Sequence, residues 1–159
     1  MTRLVLTADD GGLAARLSHR IAALLSAGRL SATSLLACGP AFREAIEALR
    51  SARIDEAGVH LCAVGGEAPL SPPAAVPTLA PGGRFPGSWP AVAARLAAGR
   101  VRLAEVEREW EAQLLAVRDA GLRVTHLDSH QHLHLLPALL PVALHLARRF
   151  DVPFVRAPR

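Results

Sequence analysis

Hydrophobic positions recur along the chain with two different periods. Short apolar runs, the pattern of buried strands, fall at residues 3–8, 32–37, 58–63, 124–128 and 153–156. Between them, apolar residues recur every three or four positions, which predicts helices over residues 13–25, 40–49, 91–98, 103–120 and 137–150. Regular alternation of strands and helices is typical of an α/β fold with a parallel sheet.

The number of these units limits the architecture. Successive β/α units build either an open sheet or part of a barrel, and five strands do not close an eight-stranded barrel. We expect a single α/β domain over residues 1–159. Residues 64–90 interrupt the pattern with seven prolines and five glycines, so they predict a long irregular loop. Loops of this length in compact domains are usually functional or disordered.

Composition narrows the class of protein. Hydrophobic residues make up 51% of the chain and charged residues 20%, which excludes a disordered chain. All eighteen basic residues are arginine and the net charge is +4, but the arginines are scattered and the aromatic residues are widely spaced. Binding of nucleic acid needs clustered cations with aromatic residues between them, so no nucleic-acid partner is expected.

Cysteine usage and hydropathy indicate the compartment. Cys38 and Cys62 stand in apolar surroundings and are expected to be core residues, not a disulfide framework. This favours a reducing cytoplasm. The longest apolar run, residues 133–147, contains two histidines and two prolines and is too short to cross a bilayer. Peripheral contact with a membrane surface stays open.

Candidate functional residues lie where the predicted strands end. The carboxyl ends of parallel strands meet at one edge of a sheet, so residues at these ends can form one site. The first strand ends at Asp9 and Asp10, and the third carries His60. The fourth ends at Asp128 and leads into a run of histidines, His130, His132 and His134. One carboxylate with two imidazoles suits a divalent metal such as zinc, cobalt, nickel or iron and leaves positions open for water and substrate.

The two adjacent aspartates would then have separate roles. The aspartate of the pair that does not bind the metal could act as a general base. Neighbouring residues of a strand point in opposite directions, so both roles at one site require the chain to turn there. Gly11 and Gly12 permit such a turn. Simpler interpretations stay open: the aspartates as a helix N-cap, His60 as a packed core histidine, and the histidine run as a structural zinc site or a solvated loop. In the Pro/Gly-rich loop, Trp89 is the best candidate for contact with a substrate.

Three segments taken together resemble a known family. Thr-Ala-Asp-Asp-Gly-Gly at 7–12, Gly-Val-His-Leu at 58–61 and Thr-His-Leu-Asp-Ser-His-Gln-His-Leu-His at 125–134 occur in order, as in the YdjC-like carbohydrate deacetylases. Pro-Thr-Leu at 77–79, Gly-Arg-Phe at 83–85 and Gly-Arg-Val-Arg-Leu at 99–103 resemble the branch associated with hopanoid biosynthesis. The resemblance covers essentially the whole chain.

This resemblance implies a fold, a reaction and a set of site residues. The family removes acetyl groups from N-acetylated amino sugars on a (β/α) barrel-like fold with one divalent metal ion, Mg²⁺ or Zn²⁺. The hopanoid branch implies an N-acetylglucosaminyl hopanoid as the substrate. By motif position the metal ligands would be Asp10, His60 and His130, and Asp9 would be the general base toward a metal-bound water. The residues beside the ligands or in contact with substrate would be Asp128, His132 and His134.

The family pattern also continues past this sequence. Relatives usually carry an aromatic residue where Gly11 stands, and a later His-Pro motif supplies a further active-site histidine. We therefore expect a partial or distorted barrel of about five strands, either the first part of a longer domain or a shortened form. An unpaired edge on the fifth strand would favour a homo-oligomer. Two alternatives stay open: a metal-dependent phosphoesterase, and a relative that binds metal or sugar without turnover.

Overall fold

The computed structural model describes residues 4–157, which form five strands alternating with helices. The strands are β1 (Thr7–Gly11), β2 (Ala32–Leu35), β3 (Glu56–Leu61), β4 (Arg123–Ser129) and β5 (Phe154–Val155). The α-helices are α1 (Ala15–Ser26), α2 (Phe42–Ser51), α3 (Trp89–Ala97), α4 (Leu103–Asp119) and α5 (Leu140–Arg149). The α/β class predicted from the alternating periods is confirmed.

The strands follow chain order across one curved sheet. Each strand pairs in parallel with the next, from β1 to β5, as successive units of a barrel do. In a flat sheet β1 and β5 would lie about 19 Å apart. Yet Arg156, just beyond β5, donates a hydrogen bond of 2.7 Å to Asp9 on β1. The sheet is therefore strongly curved, as expected for part of a barrel, and its inner face is concave.

The hydrophobic core lies between the sheet and the helices. Leu35, Val59 and Leu127 of three neighbouring strands are completely or almost completely buried. Helix α4 packs against β3 and β4, and all four members of its predicted apolar stripe are buried: Val106, Trp110, Leu114 and Val117. Within residues 4–157, no helix combines the length and the hydrophobicity needed to cross a membrane.

Element boundaries differ from the expectation at two places near the site. β1 does not stop before the aspartates, because it includes Asp9 and Asp10. α5 begins at Leu140 and not at Pro137, because a 3₁₀ segment, His130–Leu135, follows β4 directly. Leu136 then has extended backbone, which is the conformation that a following proline favours.

The Pro/Gly-rich segment 64–90 is ordered by a polar stripe on α4. Glu105, Glu109 and Gln113, spaced by four residues, are almost completely buried. Gln113 donates to and accepts from the backbone of Cys62 at 2.8 Å. The two glutamates accept hydrogen bonds from backbone N–H groups of the segment, at Leu70, Ser71, Thr78 and Leu79. The segment contains only two short 3₁₀ turns, Pro73–Ala75 and Pro81–Gly83, and the carboxylates supply partners to backbone N–H groups outside them.

Candidate active site

A bulge in β1 places two adjacent carboxylates beside the same neighbours. β1 has one residue more than β2 between two paired positions, so that Asp9 and Asp10 both lie opposite Ser34. Asp10 has φ +60°, in the left-handed region. The left-handed backbone that separates the two carboxylates is at Asp10 itself, and the turn expected at Gly11 and Gly12 follows directly, with Gly12 at φ +98° and the Leu13 N–H donating to the Asp10 oxygen at 3.0 Å. Both aspartates belong to groups of side chains that converge on one imidazole, His60.

One cluster consists of Asp10, His60 and His130. Oδ1 of Asp10 lies 2.9 Å from Nδ1 of His130 and 3.2 Å from Nε2 of His60. The two imidazole rings meet edge to face, with centroids 5.6 Å apart. The His60 side chain is 4% exposed, whereas Asp10 is 31% exposed. His60 therefore lies in the protein interior, and the cluster is accessible to solvent on the side of Asp10.

His60 is oriented by a buried carboxylate behind it. Its Nδ1–H donates to Oδ1 of Asp128 at 2.8 Å, and the Ser34 hydroxyl donates to Oδ2 of the same carboxylate at 3.0 Å. Since Nδ1 carries this proton, the Nε2 lone pair of neutral His60 faces Asp10. This is the tautomer in which a histidine binds a metal while a carboxylate supports its other nitrogen.

Electrostatics favour positive charge in the cluster. Burial disfavours the imidazolium form of His60, but hydrogen bonds to Asp10 and Asp128 outweigh burial and raise its pKa to about 9. The hydrogen bond to Asp10 also raises the pKa of His130. In turn, His130 and His60 hold the pKa of Asp10 well below its usual range. The positive charge that this arrangement favours can come from protons or from a metal ion.

The donor set fits a divalent ion. One ligand atom from each of Asp10, His60 and His130 can be chosen so that all three lie within 4.8 Å of one another. A carboxylate oxygen with two imidazole nitrogens suits zinc and similar ions better than magnesium, which prefers more oxygen ligands. Three protein ligands also leave coordination positions for water and substrate.

Arg156 connects the other aspartate to the site. Its two terminal nitrogens donate to the two carboxylate oxygens of Asp9, each at 2.7 Å. Nη1 also lies 3.1 Å from Oδ2 of Asp128. The hydrogen bond to Asp9 raises the pKa of the Arg156 guanidinium above its ordinary value. Asp9 is thus held by a guanidinium, while its neighbour Asp10 lies between imidazoles.

His134 lies beneath the site and not on its surface. It is fully buried, and its Nε2–H donates to the backbone oxygen of Arg156 at 2.7 Å. Its Nδ1 therefore accepts from the Ser129 hydroxyl, at 2.6 Å. Burial lowers the pKa of His134, which agrees with a neutral ring. The sequence predicted His134 either beside the ligands or in contact with substrate, and in the structure its ring hydrogen-bonds to Ser129 and to the backbone of Arg156.

His132 is the one predicted site residue that stands apart. It is exposed, has φ +54°, and belongs to neither group of candidate metal ligands found among residues 4–157. Gln131 beside it is also left-handed, with φ +53°. The backbone thus reverses immediately after His130 and directs the later histidines away from the cluster.

His126, another member of the histidine run, occupies space above β3. β4 has one residue more than β3 at this point, opposite Gly58. A Cβ on residue 58 would overlap the His126 ring. Nε2 of His126 is buried without a hydrogen-bond partner in the described part of the chain and lies 3.9 Å from Asp128. Burial lowers the pKa of His126.

Sequence reasoning missed two residues of the site, Ser34 and Arg156. Both lie at or just beyond the carboxyl ends of strands, β2 and β5. The rule that identified Asp9 and His60 therefore applies to them as well. The sequence analysis selected histidines and aspartates at the strand ends as candidate metal ligands, and a serine and an arginine do not belong to that set.

The family of the chain follows from its whole sequence. The family model described as YdjC-like protein matches residues 3–159. The chain belongs to the YdjC-like family. Carbohydrate deacetylases of this kind from Mus musculus and Enterococcus faecalis are 38% and 35% identical to it, over 98% and 99% of the chain. The matches cover 50% and 59% of those two proteins, so the chain spans about half of the length of its curated relatives.

A solved structure shares the fold. A protein from Enterococcus faecalis V583, described as a cellobiose-phosphate cleavage protein, superposes with a TM-score of 0.83 at 32% sequence identity. The superposition covers 98% of this chain and 59% of that one. These comparisons place the chain in the YdjC-like family and show its similarity to proteins named carbohydrate deacetylase, and they do not single out the hopanoid branch.

Proposed function

We propose that the chain carries the metal-binding and base-bearing part of a carbohydrate N-deacetylase. The observation that carries the proposal is the separation of two adjacent carboxylates: Asp10 lies between two imidazoles, while Asp9 is held by Arg156. One carboxylate is then available for a metal ion and the other for a proton, as metal-assisted hydrolysis of an amide requires. The name of the relatives, carbohydrate deacetylase, supports an acetylated sugar as the substrate class.

In this proposal each residue has a definite task. A divalent ion held by Asp10, His60 and His130 would polarise the acetyl carbonyl and make water more acidic. Asp9 accepts a proton from the attacking water on its carboxylate. Arg156 fixes both oxygens of that carboxylate in place. His134 does not donate a proton to the leaving amine, because both of its ring nitrogens are already hydrogen-bonded in the interior.

Two substitutions separate metal binding from turnover. Asp9→Asn should retain the metal and lower kcat roughly 10²- to 10⁴-fold, the usual contribution of a general base. His130→Ala should lose the metal, because a ligand is removed. The measurement is acetate release from an N-acetylglucosamine-bearing substrate, on metal-stripped and metal-restored protein, with bound metal counted on the same samples.

The control for these substitutions is His145→Ala, which removes an exposed histidine from α5. Its metal content and turnover should match those of the unmodified chain. Normal turnover by Asp9→Asn would show that Asp9 is not the base. One bound metal without acetate release from the unmodified chain would instead support a relative that binds metal without turnover. No bound metal would contradict the whole site.

The phosphoesterase alternative has less support. Two-metal chemistry would need a second ion, and the second group of candidate ligands is Asp9, His60 and Asp128. Arg156 already donates to both carboxylates of that group. The second group also shares His60 with the first group. A second cation would have to displace the guanidinium. A count of one metal per chain would therefore agree with the deacetylase proposal.

For the substrate in detail, we propose an amino sugar linked to a hopanoid lipid. The support is the sequence resemblance of residues 77–79, 83–85 and 99–103 to the hopanoid-associated branch. Such a substrate would bring the protein to a membrane surface. Acetate release from an N-acetylglucosaminyl hopanoid should then exceed release from a water-soluble N-acetylglucosamine glycoside. Equal rates would contradict a role for the lipid.

A further inference from the structure

Two carboxylates beside the metal cluster share one guanidinium. Nη1 of Arg156 lies 2.7 Å from Oδ1 of Asp9 and 3.1 Å from Oδ2 of Asp128, and Nη2 lies 2.7 Å from Oδ2 of Asp9. The Asp128 side chain is completely buried, and that of Arg156 is 27% exposed. A protein cation therefore lies between these two carboxylates, largely withdrawn from solvent.

The side chains around this guanidinium are those of a cation site. One ligand atom from each of Asp9, His60 and Asp128 can be chosen so that all three lie within 4.8 Å of one another. The Ser34 hydroxyl lies 3.5 Å from Oδ1 of Asp9 and 3.0 Å from Oδ2 of Asp128. Nε2 of His126 is buried without a hydrogen-bond partner among residues 4–157 and lies 3.9 Å from the same Oδ2. Carboxylate and hydroxyl oxygens with an imidazole nitrogen would hold a divalent ion if the guanidinium were absent.

The backbone of Arg156 is fixed on both sides. Its N–H donates to the backbone oxygen of Leu127 on β4 at 2.9 Å, which continues the pairing of β4 with β5. Its backbone oxygen accepts from Nε2–H of the buried His134 at 2.7 Å. A guanidinium keeps its charge at every pH at which the protein is folded. Arg156 is therefore a permanent cation that a chelator cannot remove.

Charge balance gives a reason for a single metal ion. The carboxylates of Asp9, Asp10 and Asp128, which contact the guanidinium or the histidine pair, carry three negative charges. The guanidinium and one divalent ion together supply three positive charges. Charges in a protein interior are tolerated when they are compensated in this way. A second divalent ion added beside the guanidinium would be repelled by a like charge.

We propose that Arg156 is a built-in second cation, whose guanidinium occupies the position between Asp9 and Asp128 and thereby limits the site to one divalent ion. This inference rests on the proposed function in that the cluster around Asp10 takes that ion. Arg156 thus determines the metal content in addition to positioning Asp9. His134, which has no part in proton transfer, supports this role by fixing the Arg156 backbone.

The test counts bound Mn²⁺, which carboxylate-rich sites accept and which is paramagnetic. Metal-stripped proteins are dialysed to equilibrium against Mn²⁺, the bound ions per chain are counted, and electron paramagnetic resonance distinguishes isolated ions from a coupled pair. The unmodified chain should bind one isolated ion. Arg156→Ala should bind two coupled ions, because two carboxylates lose their cation. Arg156→Gln, which keeps a hydrogen-bond donor without the charge, should also bind two and tests the inference if Arg156→Ala does not fold.

Three further variants serve as controls. Arg156→Lys retains a positive charge and should bind one ion. Arg156→Ala combined with Asp9→Asn should return to one ion, because a carboxylate is removed together with the guanidinium. Arg148→Ala, which removes an exposed arginine from α5, should also bind one. Free guanidinium at millimolar concentration should displace the second ion from Arg156→Ala and leave the metal content of Arg148→Ala unchanged.

The metal counts separate this inference from the proposed function. One ion in both Arg156→Ala and Arg156→Gln, with metal-dependent acetate release by the unmodified chain, would overturn the inference and leave the deacetylase proposal standing. Two ions in the unmodified chain would also overturn it. No ion in the unmodified chain but one in Arg156→Ala would support the inference and contradict the metal cluster around Asp10. No ion in any variant would overturn both.

Discussion

Asp9 and Asp10 are chemically identical neighbours with different partners. One receives two hydrogen bonds from a guanidinium, and the other lies between two imidazoles. The left-handed backbone of Asp10 separates them, at a cost of about 1–2 kcal/mol for a residue with a Cβ. Aspartate tolerates this conformation better than most residues, and the partners gained by both carboxylates offset the strain.

Arg156→Lys tests whether the orientation of Asp9 matters. Lysine keeps the positive charge but cannot donate to both oxygens of Asp9 and also reach Asp128. We expect kcat to fall at least roughly tenfold, about the effect of losing one charged hydrogen bond, with metal content unchanged. The exposed Arg148→Lys is the matched control. An unchanged kcat in Arg156→Lys would show that the two-pronged contact is dispensable.

The raised pKa of His60 predicts how pH affects the metal-stripped protein. Its pKa is about 9 in the folded chain, against an ordinary value of 6.5. Folding therefore gains stability from protonated His60 below pH 6.5, and this gain is lost as pH rises through 9. Urea denaturation in chelator should show a free energy of unfolding that falls between pH 6.5 and 9. The lowered pKa values of His126 and His134 act below this range.

This dependence has a clear control. His60→Gln should reduce the fall between pH 6.5 and 9 without removing it, because the pKa of His130 is also raised, whereas His145→Ala should leave the profile unchanged. A free energy of unfolding that rises across this range in the unmodified chain would contradict the assigned hydrogen bonds.

Among the elements, α4 has two roles, and its hydrophobic periodicity predicts only the first of them. Its apolar stripe packs on the sheet, and its polar stripe binds the backbone of segment 64–90. Glutamates in a helix are normally solvated, so nothing local marks Glu105 and Glu109 as buried. Only the contact with a distant, hydrogen-bond-deficient segment makes their burial favourable.

Glu109→Ala should destabilise the protein by about 3 kcal/mol. Glu109 accepts hydrogen bonds from Leu70, Ser71 and Gln113, at 2.9, 2.8 and 2.7 Å, and truncation leaves these donors without a partner in the interior. Chemical denaturation measures the loss, and limited proteolysis should cut faster within 64–90. Glu107→Ala, which breaks only a surface ion pair with His145, should cost less than about 1 kcal/mol.

The bulge in β4 predicts a requirement for glycine in β3. Gly58→Ala would place a methyl group in the His126 ring, so we expect a loss of about 2 kcal/mol or more in the free energy of unfolding. Gly87→Ala is the matched control, because a Cβ there meets nothing within 4 Å. Thermal unfolding of both variants checks the difference. Equal stability would mean that His126 moves aside at little cost.

At the scale of the whole molecule, the curved sheet leaves apolar residues exposed near both of its edges. Leu4, Val5 and Leu6, which lead into β1, are 79%, 63% and 49% exposed, and Phe154 on β5 is 70% exposed. Exposed edges of this kind favour pairing with another chain. The homo-oligomer expected from the edge of the fifth strand stays a prediction, and we propose the β1 edge as a second place for such a contact.

Val5→Lys tests this location. A charged residue at an exposed edge opposes strand pairing, so sedimentation at a series of concentrations should show weaker self-association, by about tenfold or more in the dissociation constant. Leu115→Lys, on the exposed side of α4, should leave self-association unchanged. If both variants associate as the unmodified chain does, or if none self-associates, the β1 edge is not an interface.

Local patterns in the sequence were enough for the elements and for most of the site. Hydrophobic periodicity depends on residues within a few positions of each other, so it predicted the alternating strands and helices. Since parallel strands place their carboxyl ends at one edge, the same pattern singled out Asp9, Asp10, His60 and His130 as neighbours. Their spacing in the chain already carried the resemblance to the family.

The tertiary structure alone decided how these residues are used. The turn at Asp10 arises from an unequal number of residues in two paired strands, which periodicity does not register. Arg156 reaches Asp9 across 147 positions of sequence, and only because the sheet curves. The burial of His134 and of Glu109 likewise depends on backbone groups far away in the chain. Burial, curvature and long-range hydrogen bonds are properties of the packed chain. The sequence pattern therefore predicts which functional groups are present, and packing determines which of them come into contact.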